Sequence, residues 1–386
     1  MKKPHVLFLF SDTGGGHRSA AEAVIEALGL EFPDAFTTEM VDFFKEYAPI
    51  PFNRMPELYP RMVKAPHLWQ AGFYATDGRA RARVITGAFW PYARRAAGKL
   101  LAAHPSDIIV TTHLAANSAG LRALGKHRDR RFITVVTDPV TTHALWFDKR
   151  ADLILVSTEM ARERAIAYHM PPEKVYVVGQ PVADRYCAPI GNKRALRQKL
   201  GWPQDKMLAL LIGGGEGMGP IARTADAINA SGLDLGLVIV AGRNERLKSK
   251  LESRDWKIPA RVYGFTRDLP DFMRAADVLV TKAGPGTIAE ALNAGLPIIL
   301  NARVPGQEDG NVTYVEKEQV GVWAPRTDRV VCALKNWLEN PGEREHFAKN
   351  CLRAARPQSA RLIARFIGSQ VGICPEPELV NGNQPG

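Results

Sequence analysis

Apolar runs of strand length alternate with helical patterns along most of the chain. Most runs hold consecutive apolar residues, as is typical of strands covered on both faces. The stretches between them, such as residues 20–28, repeat small and apolar residues at spacings of three and four, as helices do. Apolar strands separated by helices predict a parallel sheet in an α/β fold. The predicted strands are residues 6–10, 37–42, 108–112, 132–137, 153–157, 175–178, 207–212, 235–240, 261–263, 277–281 and 297–300.

The two halves of this series open in the same way. Residues 11–17, Ser-Asp-Thr-Gly-Gly-Gly-His, follow the first strand, and residues 213–220, Gly-Gly-Gly-Glu-Gly-Met-Gly-Pro, follow the first strand of the second half. Each glycine loop leads into a helix. The pattern predicts two Rossmann-like, doubly wound domains facing a central cleft. We place these domains at residues 1–190 and 191–360, with a C-terminal helix and tail at residues 361–386.

An insert rich in aromatic residues and proline interrupts the pattern at residues 43–74. Its prolines exclude one long regular helix and predict a loop-rich segment. So many aromatic side chains, Trp69 among them, would be hard to leave in water without a partner. Two interpretations stay open, an ordinary packed subdomain or a segment that faces lipid at a membrane surface. Basic residues follow at once, either on a solvated helix face or as contacts for an anionic leaflet. They are Arg79, Arg81, Arg83, Arg94, Arg95 and Lys99.

The composition narrows the class of protein. A chain of 386 residues with 46% hydrophobic and 24% charged residues is typical of a soluble globular protein. No stretch reaches the roughly 18 apolar residues of a membrane span, and the first apolar run is too short for a signal peptide. Four scattered cysteines fit a reducing compartment and predict neither a disulfide framework nor a metal knuckle. The net charge of +11 calls for a polyanionic partner, either nucleic acid or an anionic membrane surface.

His17 makes the first glycine loop unusual. The loop lacks G-x-G-x-x-G spacing and the Lys-Ser/Thr pair of a P-loop, so its glycines alone are a weak nucleotide signal. Its position at a helix start would suit an anion or a polar sugar. His17 either hydrogen-bonds locally or acts as a general base at the mouth of a cleft. His113 and Asp138 follow later strands, and we expect them on the same rim because ligands bind at the carboxyl ends of parallel strands.

The strongest candidate for a ligand-binding motif lies in the second half, at residues 281–300. A tight turn around Gly286 and Thr287 would point free N–H groups at a diphosphate. Glu290, which we place on the first turn of the next helix, either accepts hydrogen bonds from a ribose diol or complements the helix dipole. Residues 306–311 are either a solvated loop or a set of amide and carboxylate groups for hexose hydroxyls. No D-x-D pair suited to Mg²⁺ or Mn²⁺ is present, so helix N-termini and amides must stabilise the leaving diphosphate.

Six ordered stretches carry a family resemblance: residues 11–17, 136–138 with 146–147, 213–220, 255–259 with 264–265, 281–290, and 306–308 with 310–311. Together they resemble the monogalactosyldiacylglycerol synthases of plants and bacteria, and the resemblance covers nearly the whole chain. That family consists of GT-B glycosyltransferases related to bacterial diacylglycerol glucosyltransferases and, more distantly, to the peptidoglycan lipid II synthase. One departure is Asp309, at a position where a small residue is expected.

The resemblance implies an α/β GT-B fold and an inverting transfer of galactose from UDP-galactose to the free hydroxyl of 1,2-diacylglycerol. It implies no metal and no other cofactor. His17 becomes the candidate base that deprotonates the acceptor, with Asp138 as its orienting or alternative carboxylate.

The resemblance also implies two sets of binding residues. The donor set is Gly214, Gly215 and Glu216 near the phosphates, Phe265 near uracil, Gly284, Gly286 and Thr287 at the second turn, Glu290 on ribose, Gln307 and Glu308 on the hexose, and Asn311 beside them. The acceptor or membrane set is Gly15, Gly16, Trp69, Arg79 and Trp146.

Three alternatives stand beside galactosyl transfer. With UDP-glucose the protein would be a diacylglycerol glucosyltransferase, although the second half is closer to the plant-type pattern. A UDP-sugar 2-epimerase shares the architecture but needs additional acidic catalytic residues and leaves the insert unexplained. A nucleic-acid binder would explain the charge, yet RRM, KH and zinc-finger patterns are absent from the sequence. We therefore expect a cytoplasmic protein, peripheral on the inner face of the plasma membrane, with a UDP-sugar, diacylglycerol and anionic lipids as partners and no nucleic acid.

Overall fold

The computed structural model describes residues 2–63, 65–125 and 129–378. They form two compact units, each built on its own parallel sheet. Unit 1 comprises Met1–Asp184, Pro305–Gln307 and Gln358–Gly386, and unit 2 comprises Arg185–Val304 and Glu308–Pro357. Of the predicted C-terminal segment, residues 379–386 lie outside the described part.

The sheet of unit 1 has six strands in the order β2-β1-β3-β4-β5-β6, and every neighbouring pair is parallel. The strand order reverses between β1 and β3, which makes the carboxyl ends of these two strands the expected place for a ligand. The strands are β1 His5–Phe10, β2 Thr37–Asp42, β3 Ile108–Thr111, β4 Arg131–Val135, β5 Leu153–Val156 and β6 Val175–Val177.

Helices cover both faces of this sheet. Helix α1 follows the first glycine loop and packs Ala20, Val24 and Leu28 into the core, as its spacing predicts. The helices of this part are α1 Gly16–Glu31, α2 Phe43–Tyr47, α3 Met55–Met62, α4 Pro66–Thr76, α5 Arg79–Ala103, α6 Leu114–Leu124 and α7 Glu159–Ala167.

The aromatic insert is helical, and the prediction of a loop-rich segment is wrong. Helices α2, α3 and α4 occupy most of it, with a short 3₁₀ turn at Phe52–Arg54. Pro66 is the first residue of α4 and Pro56 the second residue of α3, where a missing backbone N–H costs no hydrogen bond. These two prolines therefore start helices, whereas Pro60 lies within α3.

Large apolar side chains are exposed on and beside the insert. Leu68 on α4 is 76% exposed, and Val84 and Tyr92 on α5 are 70% and 67% exposed. The basic run from Arg79 onward lies on the same long helix α5. Among the described residues, none of the helices has the length and apolar character needed to cross a membrane.

The sheet of unit 2 has the order β12-β11-β10-β7-β8-β9, again with parallel pairs throughout. Its order reverses between β7 and β10, so the loops that follow these strands lie at a second switch point. Strand β12 has three residues, too few to show a periodic pattern, and the sequence did not predict it. The strands are β7 Met207–Ile212, β8 Leu235–Val240, β9 Ala260–Tyr263, β10 Val278–Lys282, β11 Ile298–Ala302 and β12 Gly321–Trp323.

Eight helices of the described chain accompany this sheet: α8 Lys193–Leu200, α9 Ile221–Ala230, α10 Glu245–Glu252, α11 Leu269–Ala275, α12 Pro285–Asn293, α13 Asp309–Lys317, α14 Thr327–Glu339 and α15 Pro341–Ala354. The next helix, α16 Ser359–Ser369, belongs to unit 1 and packs against α1. Arg361 and Arg365 of α16 hold the carboxylate of Glu31 at 3.0 and 2.6 Å.

Candidate functional site

The switch point of unit 1 brings three polar segments together. His17 is the second residue of α1, Thr112 and His113 follow β3, and Thr137 and Asp138 lie beyond the end of β4. The centroids of the His17 and His113 rings are 4.5 Å apart, and His17 is only 8% exposed. Residues more than ninety positions apart in sequence therefore share one buried cluster.

The hydrogen bonds of His17 fix its tautomer. Nδ1 lies 2.7 Å from the carbonyl oxygen of Thr112 and 3.1 Å from the hydroxyl of Thr137. Because a carbonyl only accepts, Nδ1 carries the proton, and the neutral ring keeps its lone pair on Nε2. Burial lowers the pKa of His17 from 6.5 to about 4, although the hydrogen bond to Thr112 opposes this shift. His17 is thus a neutral imidazole with an unprotonated Nε2 at neutral pH.

His113 supports the glycine loop next to His17. Its Nδ1 accepts the backbone N–H of Ala115 at 3.2 Å, so its Nε2–H donates to the hydroxyl of Thr13 at 2.8 Å. The rings of Phe43 and Phe44 pack around it at 5.3 and 5.6 Å. Burial, and then the charge of His17, lower the pKa of His113 well below its ordinary value. This second histidine holds Thr13 and remains uncharged.

Asp138 pairs with Trp146. The indole N–H donates to the carboxylate at 2.6 Å, and Trp146 is fully buried. The ring of His17 donates from Nδ1 to Thr112 and Thr137, which orient it, and the role of Asp138 as an orienting or alternative carboxylate stays a prediction. One expectation changes. Trp146 has no exposed surface for an acceptor or a membrane, because the core packs around its large ring.

The glycines of the first loop differ in whether a side chain could be accommodated at their positions. Gly14 has a φ of +79°, and a Cβ there would lie 3.3 Å from the ring of Tyr59. A Cβ at Gly15 or Gly16 would meet nothing within 4 Å. Gly14 is thus required by its conformation, whereas the backbone at Gly15 and Gly16 faces open space that a ligand can use.

Asp77 ties the insert to the core of unit 1. Its carboxylate binds the guanidinium of Arg164 at 2.5 Å and accepts the hydroxyl of Tyr168 at 3.0 Å and the backbone N–H of Ala144 at 2.8 Å. Sequence reasoning missed this hub, because its partners lie 67 to 91 positions away. The end of α4 is therefore held rigidly beside the site.

The insert residues singled out from the sequence fall on its helices. Trp69 on α4 is half-buried, and its ring packs edge-on against Tyr59 at 5.4 Å. Its indole N–H is buried without a hydrogen-bond partner in the described chain. Arg79 is exposed and begins α5.

The second glycine loop, in unit 2, is built by close backbone contact. A Cβ at Gly213 would lie 2.1 Å from the carbonyl oxygen of Met218, and one at Gly217 would lie 2.2 Å from that of Ala241. Gly214 has a φ of +69° but faces open space. These positions accept only glycine without rearrangement.

Three side chains form a cluster at the carboxyl ends of β7, β8 and β9. Arg243 binds the carboxylate of Glu216 at 2.8 Å, and its guanidinium lies 4.5 Å above the ring of Phe265. Phe265 is 57% exposed. Sequence reasoning missed Arg243, although a glycine-containing segment directly after a predicted strand is a usable signal.

The turn at the end of β10 leads directly into α12. Gly284 is the N-cap and Pro285 the first helical residue, and a Cβ at Gly286 would meet nothing within 4 Å. Glu290 is therefore the sixth residue of α12, on its second turn, and its predicted place on the first turn is wrong because the helix starts at the proline. Burial raises the pKa of Glu290 to about 8, opposed by the charge of Arg185. Glu290 is half-buried by its exposed surface, and a carboxylate with a raised pKa of this kind is suited to a polar ligand group. The last residue of the predicted turn, Thr287, is half-buried on the first turn of α12.

Both carboxylate oxygens of Glu308 are engaged. One binds Lys282 Nζ at 2.6 Å, and the other accepts the backbone N–H of Val304 at 2.7 Å. Asn311 donates to the carbonyl of Ala283 at 2.8 Å, while its side-chain oxygen is buried without a partner in the described residues. An orphaned acceptor of this kind is available to a ligand hydroxyl.

The neighbouring loop residues have other partners. Gln307, which groups with unit 1, accepts the hydroxyl of Tyr59 at 3.4 Å. Asp309 binds Arg303 at 2.5 Å, and this ion pair accommodates the larger residue noted at that position.

Two doubly wound parallel sheets, each with a glycine loop at its switch point, define an α/β protein of the GT-B type. The crystal structure of MurG from Acinetobacter baumannii has a TM-score of 0.60 at 14% identity, covering 95% of this chain and 100% of that one. A UDP-GlcNAc 2-epimerase from Neisseria meningitidis bound to UDP-GlcNAc gives 0.58 at 14% identity, covering 94% and 99%. At these identities the likeness is one of fold.

The sequence comparison is more specific. Residues 17–182 match the monogalactosyldiacylglycerol (MGDG) synthase family, and residues 210–349 match the glycosyltransferase family 28 C-terminal domain. Monogalactosyldiacylglycerol synthase 1, chloroplastic, of Arabidopsis thaliana is 38% identical over 366 residues, which are 92% of this chain and 68% of the Arabidopsis protein. The chain belongs to the monogalactosyldiacylglycerol synthase family. The family resemblance and the α/β GT-B fold are confirmed.

Proposed function

We propose that the protein transfers galactose from UDP-galactose to the free hydroxyl of 1,2-diacylglycerol, with inversion and without a metal. The observation that carries this proposal is the 38% identity to a monogalactosyldiacylglycerol synthase across 92% of the chain. The product is monogalactosyldiacylglycerol. UDP-glucose is the competing donor, since the two sugars differ at one epimeric hydroxyl.

Unit 2 binds the donor. The loop at Gly214 and Gly215 and the helix start at Gly286 lie at its switch point, where free N–H groups favour a diphosphate. Phe265 offers its exposed ring to uracil, and Glu290 accepts the ribose hydroxyls. These groups stabilise the negative charge that develops on UDP as it leaves, so the transfer needs no cation.

His17 of unit 1 is the base. Its Nε2 takes the proton from the acceptor hydroxyl while the oxygen attacks the anomeric carbon from the face opposite UDP. One carbon–oxygen bond forms as the bond to the phosphate oxygen breaks, and UDP leaves with the electron pair. The hydrogen bond from Nδ1 to Thr112 holds the ring in the required tautomer. Asp138 stays a candidate second carboxylate, held by Trp146.

The insert and the neighbouring helix α5 bring the protein to its lipid substrate. Exposed Leu68, Val84 and Tyr92 suit the interfacial region of a bilayer, and the arginines of α5 suit anionic headgroups. We propose peripheral binding to the inner face of the plasma membrane. The acceptor then reaches Gly15 and Gly16 from the lipid phase.

A product assay tests this function. The protein is incubated with vesicles that contain diacylglycerol and with UDP-galactose or UDP-glucose, each with and without EDTA, and the lipids are resolved. We expect a β-galactolipid in both galactose arms. A glucolipid alone would identify the glucosyltransferase, and an epimerised UDP-sugar without glycolipid would identify the epimerase. Loss of product with EDTA would contradict the metal-free mechanism.

A further inference from the structure

Arg243 lies at the mouth of the second glycine loop. It follows β8, the strand next to β7, and so it lies at the same edge of the sheet as residues 213–220. None of the donor contacts described above uses it. Yet it is the cation that contacts both Glu216 and Phe265, two residues of the proposed donor site.

Backbone contacts fix Arg243 in this place. Its N–H donates to the carbonyl of Gly215 at 2.8 Å. Gly242, with a φ of +61°, approaches so closely that a Cβ there would lie 2.3 Å from the same carbonyl oxygen. The loop after β8 and the glycine loop after β7 therefore contact each other through their backbones. These contacts fix the position of the Arg243 backbone beside the glycine loop.

The guanidinium group extends over that loop. A Cβ at Gly215 would lie 3.3 Å from Arg243 Nη1, so the cation covers the face of Gly215. Its central carbon, Cζ, lies 4.5 Å from the centroid of the Phe265 ring. A planar fork held against an aromatic ring is pre-organised for two parallel hydrogen bonds to an anion.

The ion pair with Glu216 explains why a carboxylate lies in a site for phosphates. Both side chains of the pair are about half exposed, and such pairs contribute little to stability. A diphosphate carries more charge than a carboxylate and accepts hydrogen bonds from the same fork. Glu216 by itself would repel the donor.

From this geometry we propose that Arg243 binds the diphosphate of the nucleotide and that Glu216 is the counter-ion it releases when the nucleotide enters. The inference rests on the proposed function and adds to it a residue that recognises the diphosphate. Glu216 then holds the guanidinium over the loop in the absence of donor. Arg243 remains stacked on Phe265 in both states.

Calorimetric titration with UDP and with uridine separates this role from contact with the base. We expect Arg243→Ala to weaken UDP binding at least tenfold and uridine binding less than twofold, with Arg243→Lys intermediate for UDP. Glu216→Gln should strengthen UDP binding two- to fivefold, because the arginine loses its competitor. Arg329→Ala, on an exposed position of α14, removes one positive charge elsewhere in unit 2 and should leave both affinities unchanged.

Each other outcome has a distinct meaning. Equal losses for UDP and uridine in Arg243→Ala, or no loss, would overturn the inference, and so would weaker UDP binding by Glu216→Gln. If the unmodified protein binds no UDP, this result contradicts the proposed function itself, independently of any variant of Arg243.

Discussion

The imidazole rings of His17 and His113 lie 4.5 Å apart and are tilted by 60° in a buried cluster. Both rings have one nitrogen whose role is set by the backbone: Nδ1 of His17 donates to a carbonyl, and Nδ1 of His113 accepts an N–H. Two protonated rings at this separation would repel each other without water to screen them. The two rings are therefore not protonated together, and because burial lowers the pKa of each, both are neutral at pH 7, which leaves the lone pair of His17 available for chemistry.

Replacing His17 by alanine should nearly abolish galactosyl transfer and leave UDP affinity within twofold of the unmodified protein. General-base catalysis contributes about 10² to 10⁴ in rate, and the proposed nucleotide contacts lie in unit 2. Product formation from UDP-galactose and calorimetry with UDP measure the two quantities. His346→Ala, at an exposed histidine of α15, is the matched control and should keep its rate. Near-normal turnover of the His17 variant would remove it from the mechanism.

The lowered pKa of His17 predicts how activity and stability depend on pH. Because burial lowers its pKa to about 4, the folded protein keeps Nε2 unprotonated well below pH 6.5, and the acid limb of kcat should lie there. The unfolded chain binds this proton near pH 6.5 and the folded protein only near pH 4. The free energy of unfolding therefore decreases as the pH falls from 6.5 towards 4. At pH 5 the loss from His17 is about 2 kcal/mol.

Urea unfolding at pH 7.5 and pH 5, together with the pH profile of kcat, checks this prediction. The variant His17→Asn has no titrating group, so its loss of stability between these pH values should be smaller by that amount. An acid limb near pH 6.5, or equal losses in both proteins, would contradict it. His113 shifts in the same direction and adds to the loss in both proteins, but less in His17→Asn, because the charge of His17 is the second cause of its lowered pKa.

Glu290 should make UDP affinity rise with pH. Its raised pKa of about 8 keeps it largely protonated at pH 7, and an ionised carboxylate accepts hydrogen bonds from ribose more strongly than the neutral acid does. We therefore expect UDP binding to strengthen several-fold from pH 7 to pH 9. Calorimetry at four pH values on Glu290→Gln should give a flat profile. A profile that is flat for the unmodified protein as well would mean that Glu290 does not face the nucleotide.

The apolar strands were well predicted from the sequence because their signal is local. Residues 207–212 and 235–240 coincide with β7 and β8, because each strand is a continuous run of six buried residues that is visible in the sequence itself. The glycine loops were also visible, because glycine is required where backbone meets backbone, as at Gly213 and Gly217. The loop directly after each of these strands was therefore predictable.

Side-chain partners were not predictable, because they depend on which strands become neighbours. His17 and Thr112 are 95 positions apart and meet only because β1 pairs with β3. The burial of Trp146 depends on packing between helices and sheet in the same way. Arg243 follows a predicted strand, but its contact with Glu216 required β7 and β8 to be adjacent. The family resemblance supplied roles for residues, which no local pattern could do.

Glu308 should be both a structural and a donor-binding residue, and a double variant separates the two. Glu308→Gln leaves the ammonium of Lys282 partly buried without its carboxylate, and losing one partner of a buried pair costs about 3 kcal/mol. Lys282→Met with Glu308→Gln removes both charges and should recover most of that stability in urea unfolding. Galactosyl transfer should stay low in the double variant if Glu308 contacts the hexose. If the double variant recovers both its stability in urea and its rate of galactosyl transfer, Glu308 has only a structural role.

The exposed apolar side chains of the insert and of α5 should carry membrane binding. Replacing Leu68, Val84 and Tyr92 by serine removes apolar surface that is already in water, so folding is little affected, while affinity for anionic vesicles should fall about tenfold or more. The matched control replaces three other exposed apolar residues, Leu30, Leu352 and Ile373, by serine. Sedimentation with vesicles of anionic and of neutral lipid measures binding, and UDP affinity confirms that unit 2 is intact. If both triple variants bind vesicles equally well, the insert is an ordinary packed subdomain and the lipid surface is contacted elsewhere.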